Sequence, residues 1–269
     1  MDSLLTAGIL GFVEGLTEFL PISSSGHLVI ASELLGFSGP KASTFEVVIQ
    51  VGAILAVLTL YWKRFLGLLR PGTTGPSFSG FRGILMLILT TLPAAGLGLV
   101  LHGFIKSLFT PATVVAALVC GAVFMLIVEH QLAARQHSMP VQTLDQLSPL
   151  QAFGIGCFQC LALWPGFSRS ASTLMGGMIL GVRREVAAEY SFIAAVPIIT
   201  GAAGYDLLKS LSLFTAADIP FFVFGSVCAF LSAIAAMRIF ISLLGHTTLK
   251  PFAVYRLLLA IPVYFFMVH

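Results

Sequence analysis

Pro21-Ile-Ser-Ser-Ser-Gly-His-Leu28 interrupts the apolar run Leu4–Leu35, and 144 positions later Pro165-Gly-Phe-Ser-Arg-Ser-Ala-Ser-Thr-Leu174 interrupts a second one, Leu150–Gly181. Each run is two half-length helices around a polar break that carries Pro and Gly. A hydrocarbon core of roughly 30 Å needs about 20 apolar residues in one helix, so neither half crosses alone. The reading that fits is a re-entrant hairpin, which dips in and returns to the same face. Irregular backbone at that depth is tolerable only where protein or a water-filled cavity surrounds it.

Six further blocks are long enough to cross: Thr44–Trp62, Gly83–Leu101, Pro111–Val128, Tyr190–Leu208, Pro220–Leu244 and Pro251–Val268. Hairpin, span, span, span fills residues 1–130, and the same order fills 148–269. Three crossings per unit is an odd number, so the second unit is inserted upside down relative to the first. Any polytopic chain can be cut into similar halves, but the paired Pro-to-Ser/Arg breaks set this one apart. The expected fold is an all-α polytopic membrane protein, a single membrane domain over 1–269. It comprises six transmembrane helices and two re-entrant hairpins in an inverted-topology repeat.

Composition points the same way. Of 269 residues, 58% are hydrophobic and 9% are charged, against roughly a quarter charged in a soluble domain. That excludes a water-soluble protein, and a net charge of +3 is no nucleic-acid footprint. The basic residues serve instead as topology markers. With the first hairpin entering from outside, Lys63, Arg64, Arg70, Arg82, Arg135, Arg183, Arg184, Arg238 and Lys250 fall inside, and Lys41, Lys106 and Lys209 fall outside. The positive-inside rule favours this orientation, with both termini outside. Met1-Asp2-Ser3 has no basic n-region, so no removable signal peptide is expected. Cys157-Phe-Gln-Cys160 spells C-x-x-C, but it lies in an apolar run with no second Cys or His pair nearby, and reads as helix filler.

Charged groups at membrane depth cost about 2.5–3.5 kcal/mol each and therefore mark function more often than packing. The first hairpin holds Glu14, Glu18 and His27, with Ser23, Ser24 and Ser25 at its break; the second holds Ser168, Arg169, Ser170, Ser172 and Thr173. Hairpins entering from opposite faces bring these tips together. Glu14 and Glu18, four apart, share a helical face. Either a divalent cation neutralises the pair or one carboxyl keeps its proton. Ser24 and His27, three apart, suit a hydroxyl activated by an imidazole if that turn is helical. Arg169 offers the planar, bidentate donors best matched to phosphate oxygens. Gly26 and Gly166 allow close backbone approach, and the half-helix after each break aims amide donors inward. These parts fit a phosphate group better than a sugar, a peptide or an alkali cation.

Blander roles remain for several residues. Glu18 and Arg169 can be an ion pair that only fastens the repeats, and single Ser residues can be interhelical hydrogen bonders. Glu33 and Glu46 fall near the outer rim, Arg256 can snorkel to the inner face, and His102, His130, His137, His246 and His269 sit at helix ends. Gly11-x-x-x-Gly15 and Gly177-x-x-x-Gly181 read as close helix packing, which leaves a homodimer open.

Glu14-Gly-Leu-Thr-Glu18-Phe-Leu-Pro-Ile-Ser-Ser-Ser-Gly-His27-Leu closely resembles the first signature of the bacterial undecaprenyl-diphosphate phosphatases, also called bacitracin-resistance proteins. Pro165-Gly-Phe-Ser-Arg-Ser-Ala-Ser-Thr173 resembles their second, and the likeness runs through Thr44-Phe-Glu-Val-Val-Ile-Gln50 and essentially the whole chain. The resemblance implies hydrolysis of the C55 lipid undecaprenyl diphosphate to its monophosphate, which recycles the carrier for cell-wall synthesis. It places the enzyme in the bacterial inner membrane among membrane lipids, with its site open to the outer, periplasmic side. It also implies a divalent cation, Mg2+ or Ca2+, consistent with metal ligation by Glu14 and Glu18. On this reading Glu14, Glu18, Ser24, His27 and Arg169 are catalytic. Ser23, Ser25, Gly26, Gly166, Ser168, Ser170 and Thr173 bind substrate. Ser24 is the candidate nucleophile with His27 as its base. Direct attack by water, with His27 or Glu18 as base, is the alternative. A transporter or polyprenyl-phosphate flippase using the same midplane site is the competing function.

Overall fold

The structure, a computed structural model, describes residues 4–70, 77–108, 110–210 and 215–268. The chain folds as α1 (Leu4–Thr17), α2 (Ser24–Leu34), α3 (Pro40–Leu60), α4 (Trp62–Leu68), α5 (Gly80–Val100), α6 (His102–Ser107), α7 (Pro111–Leu132), α8 (Pro149–Gln159), α9 (Arg169–Ile179), α10 (Arg184–Ser210), α11 (Ile219–Leu244) and α12 (Lys250–Val268). Five segments among the described residues are long and apolar enough to cross a membrane: Lys41–Leu60, Gly80–Val100, Pro111–Leu132, Arg184–Lys209 and Ala216–Leu244. The side chains of His102, Lys106 and His137, and residue His269, lie outside what is described.

The short pairs α1/α2 and α8/α9 are each broken at a proline. Helix is lost over residues 18–23 around Pro21, whose ring blocks continuation. In the second pair it tightens to a 3-10 turn, Cys160–Leu163, and opens before Ser168 around Pro165. Two short helices, α4 and α6, stand in joints that the sequence reading treats as plain connections.

The helices exchange partners between the halves. Besides lying on its own partner α2, α1 packs on α11, and α8 correspondingly packs on α5; α3 lies against α10 and α11, α7 against α12, α2 against α12, and α9 against α7. Gly11 and Gly15 explain the closeness of α1 and α11, because a Cβ at either would overlap the backbone carbonyl of Gly225 or Ala229. The centre, with Phe19, Met125, Tyr190, Phe192 and Phe240 fully buried, is apolar. So is the outside: Phe81 is 80% exposed, Leu99 75% and Leu258 60%. With apolar groups on both surfaces, lipid is the solvent that this exterior matches.

At one end the connection between the halves is tied down. Val141 bridges Val182, and Arg82 donates to the carbonyls of Ser77, Asp145 and Leu147. Buried Glu129 pairs with Arg184 and accepts from the Leu249 amide. At the opposite end Lys41 meets Asp218 at 3.1 Å.

Candidate active site

The second half of each broken pair starts at a serine with an unusual backbone. Ser23 (φ 71°) caps α2 by accepting from the Gly26 amide, and Ser168 (φ 79°) caps α9 by accepting from the Ala171 amide. Left-handed serine is strained by about 1–3 kcal/mol, and such strain gathers at functional sites. Its consequence is geometric. The first amides of α2 and α9, with the positive ends of both helix dipoles, emerge at the same place.

Side chains then join the two breaks. Arg169 Nη2 reaches Glu18 Oε1 at 3.1 Å, and Ser24 Oγ donates to Glu18 Oε2 at 2.6 Å. The Arg169 Nη1 group donates to the Ser191 carbonyl at 3.1 Å, and its guanidinium lies 5.9 Å from the Phe19 ring centre. Ser170 Oγ donates to the Leu20 carbonyl at 2.7 Å, and Thr173 Oγ1 is hydrogen-bonded to Ser191 Oγ at 2.6 Å. Ser172 bonds back to the Ser168 carbonyl.

Above these groups lies a cavity of about 400 Å³. Its polar wall is Glu18, Ser23, Ser24, Ser25, Ser168 and Arg169, with the Gly166 backbone; Val47, Ala94, Ile105, Leu163, Ile198 and Ile199 give it an apolar side. Gly166 (φ 97°) is required, since a Cβ there would sit 2.6 Å from the Val114 carbonyl oxygen. Gly26 is not required in that way: a Cβ would meet Leu259 at an ordinary 3.5 Å. Gly26, Ser170 and Thr173 therefore hold the frame of the site and do not line it.

Two expectations change. Ser24 and His27 are not partners in this conformation, because Ser24 is committed to Glu18. His27 Nδ1 lies 2.8 Å from the Ser23 carbonyl and Nε2 2.7 Å from the Tyr255 hydroxyl, with the two rings stacked at 5.5 Å. A carbonyl only accepts, so Nδ1 carries the proton, and when the ring is neutral Nε2 accepts from Tyr255. Arg256 does not snorkel. It is fully buried, and its five N–H groups donate to five backbone carbonyls: Leu118, Pro21, Phe167, Ala117 and Gly166. Three of those carbonyls belong to the two breaks, so one guanidinium clamps both. Glu46, read as a rim residue, accepts from Ser32 Oγ at 2.8 Å. Glu33, His130 and His246 are exposed, and all four cysteines are free thiols.

Glu14 lies behind Glu18. It is fully buried, and neither carboxylate oxygen has a hydrogen-bond partner among the described residues. Glu18, Glu46 and Arg169 are the charges that act on it. Hard oxygen donors of this kind fit Mg2+ or Ca2+, whose remaining ligands come from water and phosphate oxygens. No group of three or more His, Cys, Asp or Glu suited to a metal occurs among the described residues, so the protein offers such a cation these two carboxylates and no third acidic, His or Cys ligand among them. Sequence reasoning quoted Gln50 within the matched Thr44–Gln50 stretch but gave it no role, and it passed over Gln159 and Asp206, which line the cavity with Gln50, and Ser191 beneath it. Of the last three only Asp206 is a charge within an apolar block, and its place near the end of that block gave no signal.

The family described as bacitracin resistance protein BacA matches residues 7–262, which include both breaks. The chain belongs to this family. Among its relatives, an undecaprenyl-diphosphatase of Nitratidesulfovibrio vulgaris is 63% identical over 270 residues, covering 100% of both chains. One from Desulfovibrio desulfuricans is 62% identical, again over 100% of both. One from Solidesulfovibrio magneticus is 52% identical over 99% of each.

Proposed function

We propose that the protein hydrolyses undecaprenyl diphosphate to undecaprenyl phosphate and inorganic phosphate, recycling the carrier lipid and conferring bacitracin resistance. The observation that carries this reading is the Ser24–Glu18–Arg169 chain in the cavity wall, which joins a nucleophile, a base and a phosphate-binding cation across the two breaks. The names of the family and its relatives supply the lipid.

The diphosphate enters the cavity with its isoprenoid tail along the apolar side and out between helices. Arg169 and the first amides of α2 and α9 bind the phosphoryl oxygens, where charge must be stabilised as the bond breaks. Ser24 Oγ attacks the terminal phosphorus, and its proton passes to Glu18 Oε2, already 2.6 Å away. The bond to the bridging oxygen breaks, and undecaprenyl phosphate leaves with the proton from Glu18. Water then cleaves the phosphoserine, releasing inorganic phosphate and restoring Ser24. His27 braces the first turn of α2 from the Tyr255 side. Glu14 and Glu18 would hold a divalent cation, which would supply further positive charge at the phosphates.

In the membrane the chain is an inverted-topology repeat of six crossings and two re-entrant hairpins. Supporting this are the matched exchange of partners, α1 on α11 and α5 on α8, and the similar strained caps of α2 and α9. The cavity lies toward the end of α10 that carries Asp206, where basic residues are few, which supports a site open to the periplasmic side of the bacterial inner membrane. The test is phosphate release from undecaprenyl diphosphate by the purified protein, with and without EDTA. Cation-dependent release is expected. Lipid binding without any release would leave transport of the lipid as the better account.

A further inference from the structure

Gln159 is the last residue of α8 and stands in the cavity wall, yet it is only 1% exposed. Its Nε2 donates to the Thr90 carbonyl at 3.1 Å. One turn earlier Gly156 brings α8 against α5, since a Cβ there would lie 2.7 Å from that same carbonyl oxygen. Thr90 is itself fixed, because its hydroxyl donates to the Ala152 carbonyl at 2.8 Å and meets Tyr190 Oη at 2.6 Å. Turning the amide over would set its oxygen against the Thr90 oxygen with no proton between them. The amide therefore has one orientation, and its Oε1 is left buried without a hydrogen-bond partner among the described residues.

A buried acceptor with nothing to accept from costs about 1–3 kcal/mol. The diphosphate does not relieve it, because phosphate oxygens are acceptors too. The molecule in this reaction that brings O–H donors into the cavity is water.

We propose that Gln159 positions the attacking water through Oε1. The inference rests on the reading of the cavity as the site of hydrolysis. One water proton is held by Gln159 Oε1 and the other passes to Glu18. The water oxygen bonds to phosphorus, the bond from phosphorus to Ser24 Oγ breaks, and Oγ takes the electron pair and the proton from Glu18. An acceptor fixed by α5 removes orientational freedom that the water would otherwise have to lose during the step.

The experiment compares wild type, Gln159→Met and Gln159→Glu with undecaprenyl diphosphate in water containing methanol, measuring inorganic phosphate and methyl phosphate together. Gln159→Met keeps the length of the side chain and removes the acceptor. Its kcat should fall about 10–100-fold with KM within about twofold, and the ratio of methyl phosphate to phosphate should rise severalfold. Gln159→Glu, buried and protonated, donates its O–H to the Thr90 carbonyl and keeps an acceptor oxygen at the same reach, so it should hold the wild-type ratio. A purely structural role would slow both products equally, so an unchanged ratio in Gln159→Met overturns the proposal, as does a wild-type rate. A raised Mg2+ requirement with an unchanged ratio would assign Gln159 to the cation and overturn it equally. If wild type releases no phosphate, the reading of the site has failed instead.

Discussion

Replacing Arg256 with Lys keeps the charge at the clamp between the breaks and removes its geometry. Five N–H groups serve five buried carbonyls at 2.8–3.4 Å. An ammonium has three donors, so at least two of these charge-assisted bonds are lost. At about 1.5–3 kcal/mol for each hydrogen bond from a charged donor, the loss is about 3–6 kcal/mol. At 2–4 °C per kcal/mol for a chain of this size, the melting temperature in detergent should drop by ~5–20 °C. Activity measured well below that transition should fall as well. The carbonyls of Pro21, Gly166 and Phe167 set how the breaks face each other, and a misplacement of about 1 Å costs on the order of a hundredfold. Thermal unfolding followed by intrinsic fluorescence and phosphate release on the same preparation read both effects. A variant that melts within 2 °C of wild type (roughly 1 kcal/mol) and turns over normally would refute the clamp.

Ser24→Ala should lower phosphate release by about three orders of magnitude, in the range of nucleophile and general-base effects, and rapid quenching of wild type should yield phosphoserine; full activity in the variant excludes Ser24 attack. Gly15→Val forces a side chain into the Ala229 carbonyl and Ser232 on α11. It should cost about 1–3 kcal/mol of stability, read as a lowered melting temperature. Tyr255→Phe removes the donor to His27 Nε2 and keeps the stacked ring. It should change turnover by no more than about tenfold, the equivalent of a single net hydrogen bond. A loss beyond about a hundredfold would mean that His27 takes part in proton transfer through the tautomer Tyr255 holds.

The breaks at Pro21 and Pro165 were legible because a proline and a run of hydroxyls inside an apolar block have one physical meaning at membrane depth. The join between Glu18 and Arg169 was legible for the same reason, since buried opposite charges find each other. Spacing served Glu14 and Glu18 well: α1 ends at Thr17, but the Glu18 amide still bonds to the Glu14 carbonyl at 2.9 Å, so the helical offset persists. It misled for Ser24 and His27, because an i, i+3 offset does not reveal that the ring bonds back to the Ser23 carbonyl. Arg256 was misread for want of its acceptors. Its partners are backbone carbonyls of residues 21, 117, 118, 166 and 167, which no side-chain pattern announces. Gln159 was invisible because an amide in an apolar run resembles filler until its donor and acceptor ends are seen to have different surroundings.

The most direct test of the account is inorganic phosphate release from undecaprenyl diphosphate by Arg169→Ala beside wild type, at saturating Mg2+ and with the melting temperature of each recorded. Arg169 bridges the two breaks at Glu18 and supplies the cation for the phosphates. Loss of release by at least about a hundredfold in a variant that still folds is the predicted result, in line with removal of a transition-state charge donor. Near-wild-type release from folded Arg169→Ala would contradict a phosphoryl-transfer site assembled from both hairpins.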